Sequence, residues 1–192
     1  MISPSHNIDT KTAFSEEINT SFEPLFAFGK IKQIMKDDFI IIEGEKCDGL
    51  YFIQSGIFRI FQESKDIEYT SGFSFTGDFE TSPFSLFYNT PCLENTQAIT
   101  DATVLFISRD DVLKCAETNP EISRGYLLLL SAHIEVLETR LLQHRSLTAE
   151  KRYLLLCTQQ PTEINKIPLK FIASFLGISK ERLSRIRKKH PN

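Results

Sequence analysis

The chain has 192 residues, of which 41% are hydrophobic and 24% charged, with a net charge of -3. That composition suits a globular chain with one domain or two small ones. It lacks the roughly 20 consecutive apolar residues of a membrane helix and a basic-then-apolar leader, and Cys47, Cys92, Cys115 and Cys157 form no C-x-x-C pair, which argues against a metal site or a disulfide framework.

Cytoplasmic residence, with no membrane partner, is the default expectation. The net charge hides an asymmetry. From Arg140 onward there are 12 Lys and Arg against 3 Asp and Glu, whereas residues 1–139 carry 10 against 22. A basic tail on an acidic body points to an anionic partner for the tail alone.

In chain order, residues 1–24 are polar and mixed. Phe14, Ile18 and Phe22 recur at i, i+4 and i+8, which predicts a short helix over 11–22, ended by Pro24. From residue 25 to about 114, short runs rich in Phe, Ile and Tyr are split by Gly, Asp, Asn and Ser. Strands are expected at 39–42, 50–53, 57–61, 68–75, 97–100 and 103–107. Many short strands without a βαβ rhythm predict an all-β sandwich or roll.

Residues 119–145 read as one long helix. Leu127, Leu130, Ile134, Leu137 and Leu141 repeat in alternating steps of three and four, the stripe of a helix that pairs with a second copy. Ile122, Tyr126, Leu129 and Val136 form another apolar face, able to cover the roll. A homodimer is therefore expected. Ser146 or Thr148 can cap the next helix, 149–159, and a loop containing Pro161 follows, with Pro168 placed to open a further helix.

The tail is the most informative stretch. In L-K-F-I-A-S-F-L-G-I-S-K-E-R-L-S-R-I-R-K, Ile172, Ala173 and Leu176 share one helical face. Gly177 can take the positive φ of a helix stop, and Ser179 can cap a second helix with Glu181 in its first turn. Leu183 and Ile186 point together toward the first helix, across which Ala173 allows a close crossing. This pattern predicts a helix-turn-helix. The outward face then carries Glu181, Ser184, Arg185 and Lys188, with Lys180 and Lys189 at its edges. Arg and Lys donate to guanine, Glu accepts from cytosine and Ser does either, so double-stranded DNA is the expected partner. Ser179 and Lys170 complete the candidate DNA-binding set.

A roll, a dimer helix and a C-terminal helix-turn-helix in this order resemble the cyclic-AMP receptor protein and FNR superfamily of bacterial transcription regulators. Two segments carry the resemblance. G-E-K-C-D-G-L-Y-F-I-Q-S-G-I-F-R-I, residues 44–60, is similar to the family's first hairpin, and I-S-K-E-R-L-S-R-I, residues 178–186, to its recognition helix. The tail looks closest to a Bacteroidetes-type branch. The resemblance implies an α+β chain. Its parts would be an N-terminal cyclic-nucleotide-binding-like β-roll sensor (1–118), a dimerisation helix (119–145) and a helix-turn-helix domain (146–192). Because Pro191 and Asn192 follow closely on the second helix, that domain is expected to lack the family's β wing.

The resemblance also marks departures. Cyclic-AMP binders of the family hold the ribose with a Glu and pair the phosphate with an Arg. Here Thr81 and Ser82 stand near the Gly-Glu position, and Cys92 and Leu93 replace the Arg and Ser. No Arg lies between Arg59 and Arg109, and an unpaired phosphodiester charge costs several kcal/mol in a half-buried pocket. Cyclic AMP is therefore not expected as effector. Phe79, Thr81, Ser82, Cys92 and Leu93 form a degenerate effector pocket, expected to be filled by Phe79, Phe84, Leu86, Phe87 and Leu93. FNR-like iron–sulfur ligation would need several thiolates near the N-terminus, where the first cysteine is Cys47. His6 is a lone terminal histidine of the solvated kind, and His133, His144 and His190 show no metal spacing. No cofactor, metal or catalytic arrangement is expected. The reading is a transcription regulator that is not an enzyme. The alternative is a small-molecule-binding or interaction protein with a working roll pocket and a vestigial helix-turn-helix.

Overall fold

The computed structural model describes residues 8–190, with side chains from residue 16 onward. His6, Pro191, Asn192 and the side chain of Phe14, on which parts of the sequence reading fall, lie outside the described residues. The first helix, α1 (Ile8–Phe26), runs through Pro24. A proline removes one backbone donor, but the last turn persists because Phe22 and Leu25 on either side of Pro24 are fully buried.

Eight strands follow: β1 (Lys30–Ile34), β2 (Phe39–Ile41), β3 (Gly49–Ser55), β4 (Phe58–Ser64), β5 (Ile67–Ser74), β6 (Phe79–Glu80), β7 (Asn95–Ala98) and β8 (Ala102–Ser108). They form two four-stranded antiparallel sheets, β1-β8-β3-β6 and β2-β7-β4-β5. The β3–β4 turn needs Gly56. Its φ is +105°, and a Cβ there would sit 2.4 Å from that of Ala102. β5 keeps its expected length and starts one residue early, while β4 runs three residues past its expected end, because a two-residue turn, Lys65–Asp66, with both φ values positive joins Ser64 to Ile67. That is the hairpin turn whose twist matches the strands, formed here without the usual Gly. β7 begins two residues before the expected strand.

Two short helices lie where none was expected. α2 (Pro83–Tyr88) sits between β6 and β7. α3 (Arg109–Thr118) follows β8 directly, and the Ser108 hydroxyl caps it by accepting from the Asp111 N–H at 3.2 Å. The long helix α4 (Pro120–Ser146) starts one residue after the expected position, with Asn119 as its cap. Its first turns cross α1 closely. A Cβ on Gly125 would come within 2.8 Å of both Phe22 and Ser21.

The main core lies between the two sheets and under α1 and α4. Phe22 meets Phe79 and Tyr126 edge-on, each at 5.0 Å between ring centres, and Phe52 joins Phe79 at 4.9 Å. Ile122 and Tyr126 of α4 are buried there and Leu129 packs against it, as the second apolar face predicts. Val136, expected on that face, is exposed because the helix has already passed beyond the core. α5 (Ala149–Gln159), capped by Thr148, then a 3-10 turn at Glu163–Asn165, α6 (Leu169–Leu176) and α7 (Lys180–Lys189) complete the chain.

Candidate nucleic-acid interface

α6 and α7 are built from local signals that agree with one another. Gly177 adopts φ +66° and ψ +36°. Its N–H donates to the Ser174 carbonyl and the Ile178 N–H to that of Ala173, each at 3.0 Å. This pair of bonds is the Schellman stop of a helix. Two residues on, the Ser179 hydroxyl accepts from the Arg182 N–H at 3.2 Å and starts α7. Ser179, a candidate DNA contact, therefore also holds the helix start. Leu183 and Ile186 are buried against Ile172, Ala173 and Leu176. Arg152 of α5 donates to the Leu176 carbonyl at 2.7 Å, occupying another orphan acceptor at the end of α6.

With its apolar pair turned inward, α7 presents the opposite face to solvent. Lys180, Glu181, Ser184, Arg185 and Lys188 line one shallow hollow of about 420 Å³, with Leu169 of α6 as its apolar wall. Leu169 was not among the expected residues, since it reads as core in the sequence. Glu181 is held below the usual carboxylate range by its own backbone N–H and the Ser179 hydroxyl, then by Lys180 and Arg185. It stays an acceptor at neutral pH. Lys189 is exposed at the C-terminal end of α7, and Lys170 lies exposed on α6 with its ammonium 4.7 Å from the centre of the Phe171 ring.

Along α4, Leu127, Ile134, Leu137 and Leu141 are 67, 56, 49 and 61% exposed, and Leu130 is half-buried. The heptad stripe is thus an apolar face turned away from its own roll.

The residues expected around an effector pocket each have other neighbours. Phe79 belongs to the aromatic core under α1. The Thr81 hydroxyl donates to the Gly49 carbonyl at 3.0 Å and lies 3.4 Å from the Cys47 sulfur, to which the Ser82 N–H donates at 3.5 Å. Cys92 is buried, with its backbone N–H and C=O paired to the loop at Gly44 and Glu45. Leu93 points to solvent, and its carbonyl accepts from the Gln62 amide at 3.0 Å. Of the five residues expected to fill the pocket, Leu86 is fully buried, while Phe84, Phe87 and Leu93 are exposed. Phe84 and Phe87 are carried by α2, where Phe84 lies against Tyr88 at the surface and Phe87 leans edge-on against Tyr126 at 5.2 Å.

Two features of the roll escaped that reading. Glu80 is buried beside Ser74, whose hydroxyl donates to it, and burial pushes its carboxyl up to about 7. Asp78 and Glu94 add to that rise, against the hydrogen bonds from Ser74 and Thr96. Arg59 is 1% exposed and pairs with Glu68 at 2.8 Å. The only sequence signal for it was an arginine inside the apolar run of β4.

Comparison with known proteins agrees with the fold. Residues 31–119 match the family model of the cyclic nucleotide-binding domain. No curated protein sequence matches the chain. Among solved structures it resembles FixK2 from Bradyrhizobium japonicum, with 19% identity over 84% of this chain and 83% of that one, and a TM-score of 0.73. It also resembles the c-di-GMP responsive global regulator CLP of Xanthomonas campestris, with 18% identity over 88% and 90% and a TM-score of 0.70. A third is the catabolite activator protein of Thermus thermophilus, with 20% identity over 90% and 85% and a TM-score of 0.56. At these identities the likeness establishes a shared fold. No described helix is long and apolar enough to cross a membrane.

Proposed function

We propose that this chain is a homodimeric DNA-binding transcription regulator of the cyclic-AMP receptor protein and FNR type, which reads a pseudo-palindromic operator with α7. One observation carries the proposal. A helix with its start and the preceding stop both capped turns its apolar side into the protein and presents Lys180, Glu181, Ser184, Arg185 and Lys188 around one open hollow. Arg185 stands mid-helix on that face, where its planar fork matches O6 and N7 of a guanine. Glu181, one turn earlier, accepts from a cytosine amine. Lys170, Lys188 and Lys189 suit phosphates. The exposed stripe on α4 supports a second copy as partner, which would place two reading helices about one turn of DNA apart, 34–36 Å, or a multiple of it.

Cyclic AMP is not the effector in this reading. The family's phosphate-pairing position holds the buried Cys92. A phosphodiester without a cationic partner at that position is left unpaired, at a cost of several kcal/mol.

The test is a binding titration of two variants against a selected site and a scrambled one. Arg185→Ala is expected to cost about 1–3 kcal/mol on the selected site and to relax preference at one position of each half-site. Lys189→Ala is expected to weaken both DNAs alike and to lower the salt slope by about one per contact. An unchanged ratio of affinities for Arg185→Ala would remove base reading from α7.

A further inference from the structure

The apolar core of the helix-turn-helix does not close on itself. Ile57, Phe73 and Ile99 of the roll are buried in the same cluster as Ile172 and Leu176 of α6. Polar contacts tie the two parts along β5, the outer strand of its sheet. The Ser174 hydroxyl on α6 accepts from the Thr70 N–H at 3.0 Å and donates to the Glu68 carbonyl at 3.1 Å. It thereby takes the place a further strand would have on that edge. Beside it, the Arg59 guanidinium lies 3.7 Å from the ring centre of Phe61 and 3.8 Å from that of Phe171. One ring belongs to the roll and the other to α6. Glu68 and Gln97 hold the edge of the same guanidinium at 2.8 and 3.2 Å. Arg140 of α4 donates to the Ser71 carbonyl at 2.9 Å and lies 5.4 Å from the centre of Phe175.

We infer that Arg59 and Ser174 are positioning residues that lock the reading head to the edge of β5, so that the roll sets the separation of the two recognition helices. The inference rests on the DNA-reading function proposed above. Docking leaves Lys180, Glu181, Arg185 and Lys188 exposed, so it presents the reading face rather than covering it. A head tethered only by its linker would have to be ordered at the moment of binding, and two such heads would tolerate many half-site separations. A locked head tolerates few. Arginine suits the lock because its flat cation stacks on rings through both faces while its edge still donates to a carboxylate.

The experiment uses the full chain and three variants. Ser174→Ala removes the edge contacts at a helical position where alanine is well tolerated, Ser174→Thr keeps the hydroxyl, and Arg59→Met leaves Ser174 intact. The first readout is the ratio of affinities for palindromes with the matched half-site separation and with one shifted by a fraction of a turn. The second is hydrogen exchange at the Thr70 amide. Ser174→Ala and Arg59→Met should each lower the ratio roughly tenfold, the scale of one to two lost hydrogen bonds, with affinity for an isolated half-site unchanged. Ser174→Thr should keep the wild-type ratio, and the Thr70 amide should exchange faster in Arg59→Met. If Arg59→Met does not fold, Ser174→Ala and its threonine rescue decide the matter. A wild-type ratio in Ser174→Ala, from a protein that itself selects its site, overturns the lock and leaves the DNA-reading function standing. A wild type that prefers no DNA over scrambled DNA overturns both.

Discussion

Leu137 on α4 is the residue on which the dimer can be tested most directly. It is 49% exposed in the single chain, so about half of its side chain remains to be buried by a partner. Full burial of a leucine contributes about 1.5–3 kcal/mol, which leaves roughly 1 kcal/mol for the uncovered half. A twofold interface counts it twice. Leu137→Ala should therefore cost about 2 kcal/mol per dimer and raise its dissociation constant roughly 30-fold. Leu137→Asp adds two carboxylates to a drying seam, at several kcal/mol in all, and should leave monomer across the working concentration range. Neither variant should unfold the chain, since half-exposed positions away from the core tolerate exchange. Sedimentation equilibrium over a concentration series measures the constants, and thermal melting of the monomer checks the fold. If Leu137→Ala and Leu137→Asp both keep the wild-type constant, the stripe is not the seam.

Three further outcomes are expected. Gly177→Ala places a Cβ at φ +66°, which costs about 1–2 kcal/mol and should lower the melting temperature by several degrees; an unchanged melting temperature would refute the stop. Glu80, raised from the ordinary 4.5 to about 7 by burial, keeps its proton when folded over a range where the unfolded chain has lost it. Its contribution is whole below pH ~4.5 and fades as pH rises toward 7, by something of order 3 kcal/mol. Glu80→Gln should flatten that part of the urea-midpoint profile, and profiles that stay parallel would show that Glu80 titrates normally. Cyclic AMP should leave the melting temperature unmoved, whereas a bound ligand at 100 times its dissociation constant would add about 2.7 kcal/mol.

The tail was legible because its instructions are local. The cap at Ser179, the stop at Gly177 and the pair Leu183 and Ile186 all lie within a few residues of one another. The roll was legible as a class but not strand by strand. β1, K-I-K-Q-I, is an edge strand with no buried side chain, so no alternation of apolar residues marks it. β6 has two residues, too few for any period. The Lys65–Asp66 turn carries no glycine, so nothing in the sequence marks the true end of β4 at Ser64. α3 did carry a signal, Ser108 followed three residues later by Asp111, but the apolar run of β8 just before it dominated the reading. Arg59 and Ser174 were beyond reach for another reason. Their partners stand on the other side of a contact between residues 106 and 112 positions apart, and no local pattern encodes such a pairing.

The close crossing at Gly125 also has a mechanical side. There α4 is wedged against Ser21 and Phe22 of α1, and 15 residues further on it bears on β5 and α6 through Arg140. At 1.5 Å per residue these two bearings are about 22 Å apart. The helix is thus a beam resting on α1 at one end and on β5 and α6 near the other. A tilt of only a few degrees at the first support displaces the second by about 1 Å or more, a large step for a close-packed contact. Whatever shifts α1 against α4 will therefore be felt at the ring of Phe175.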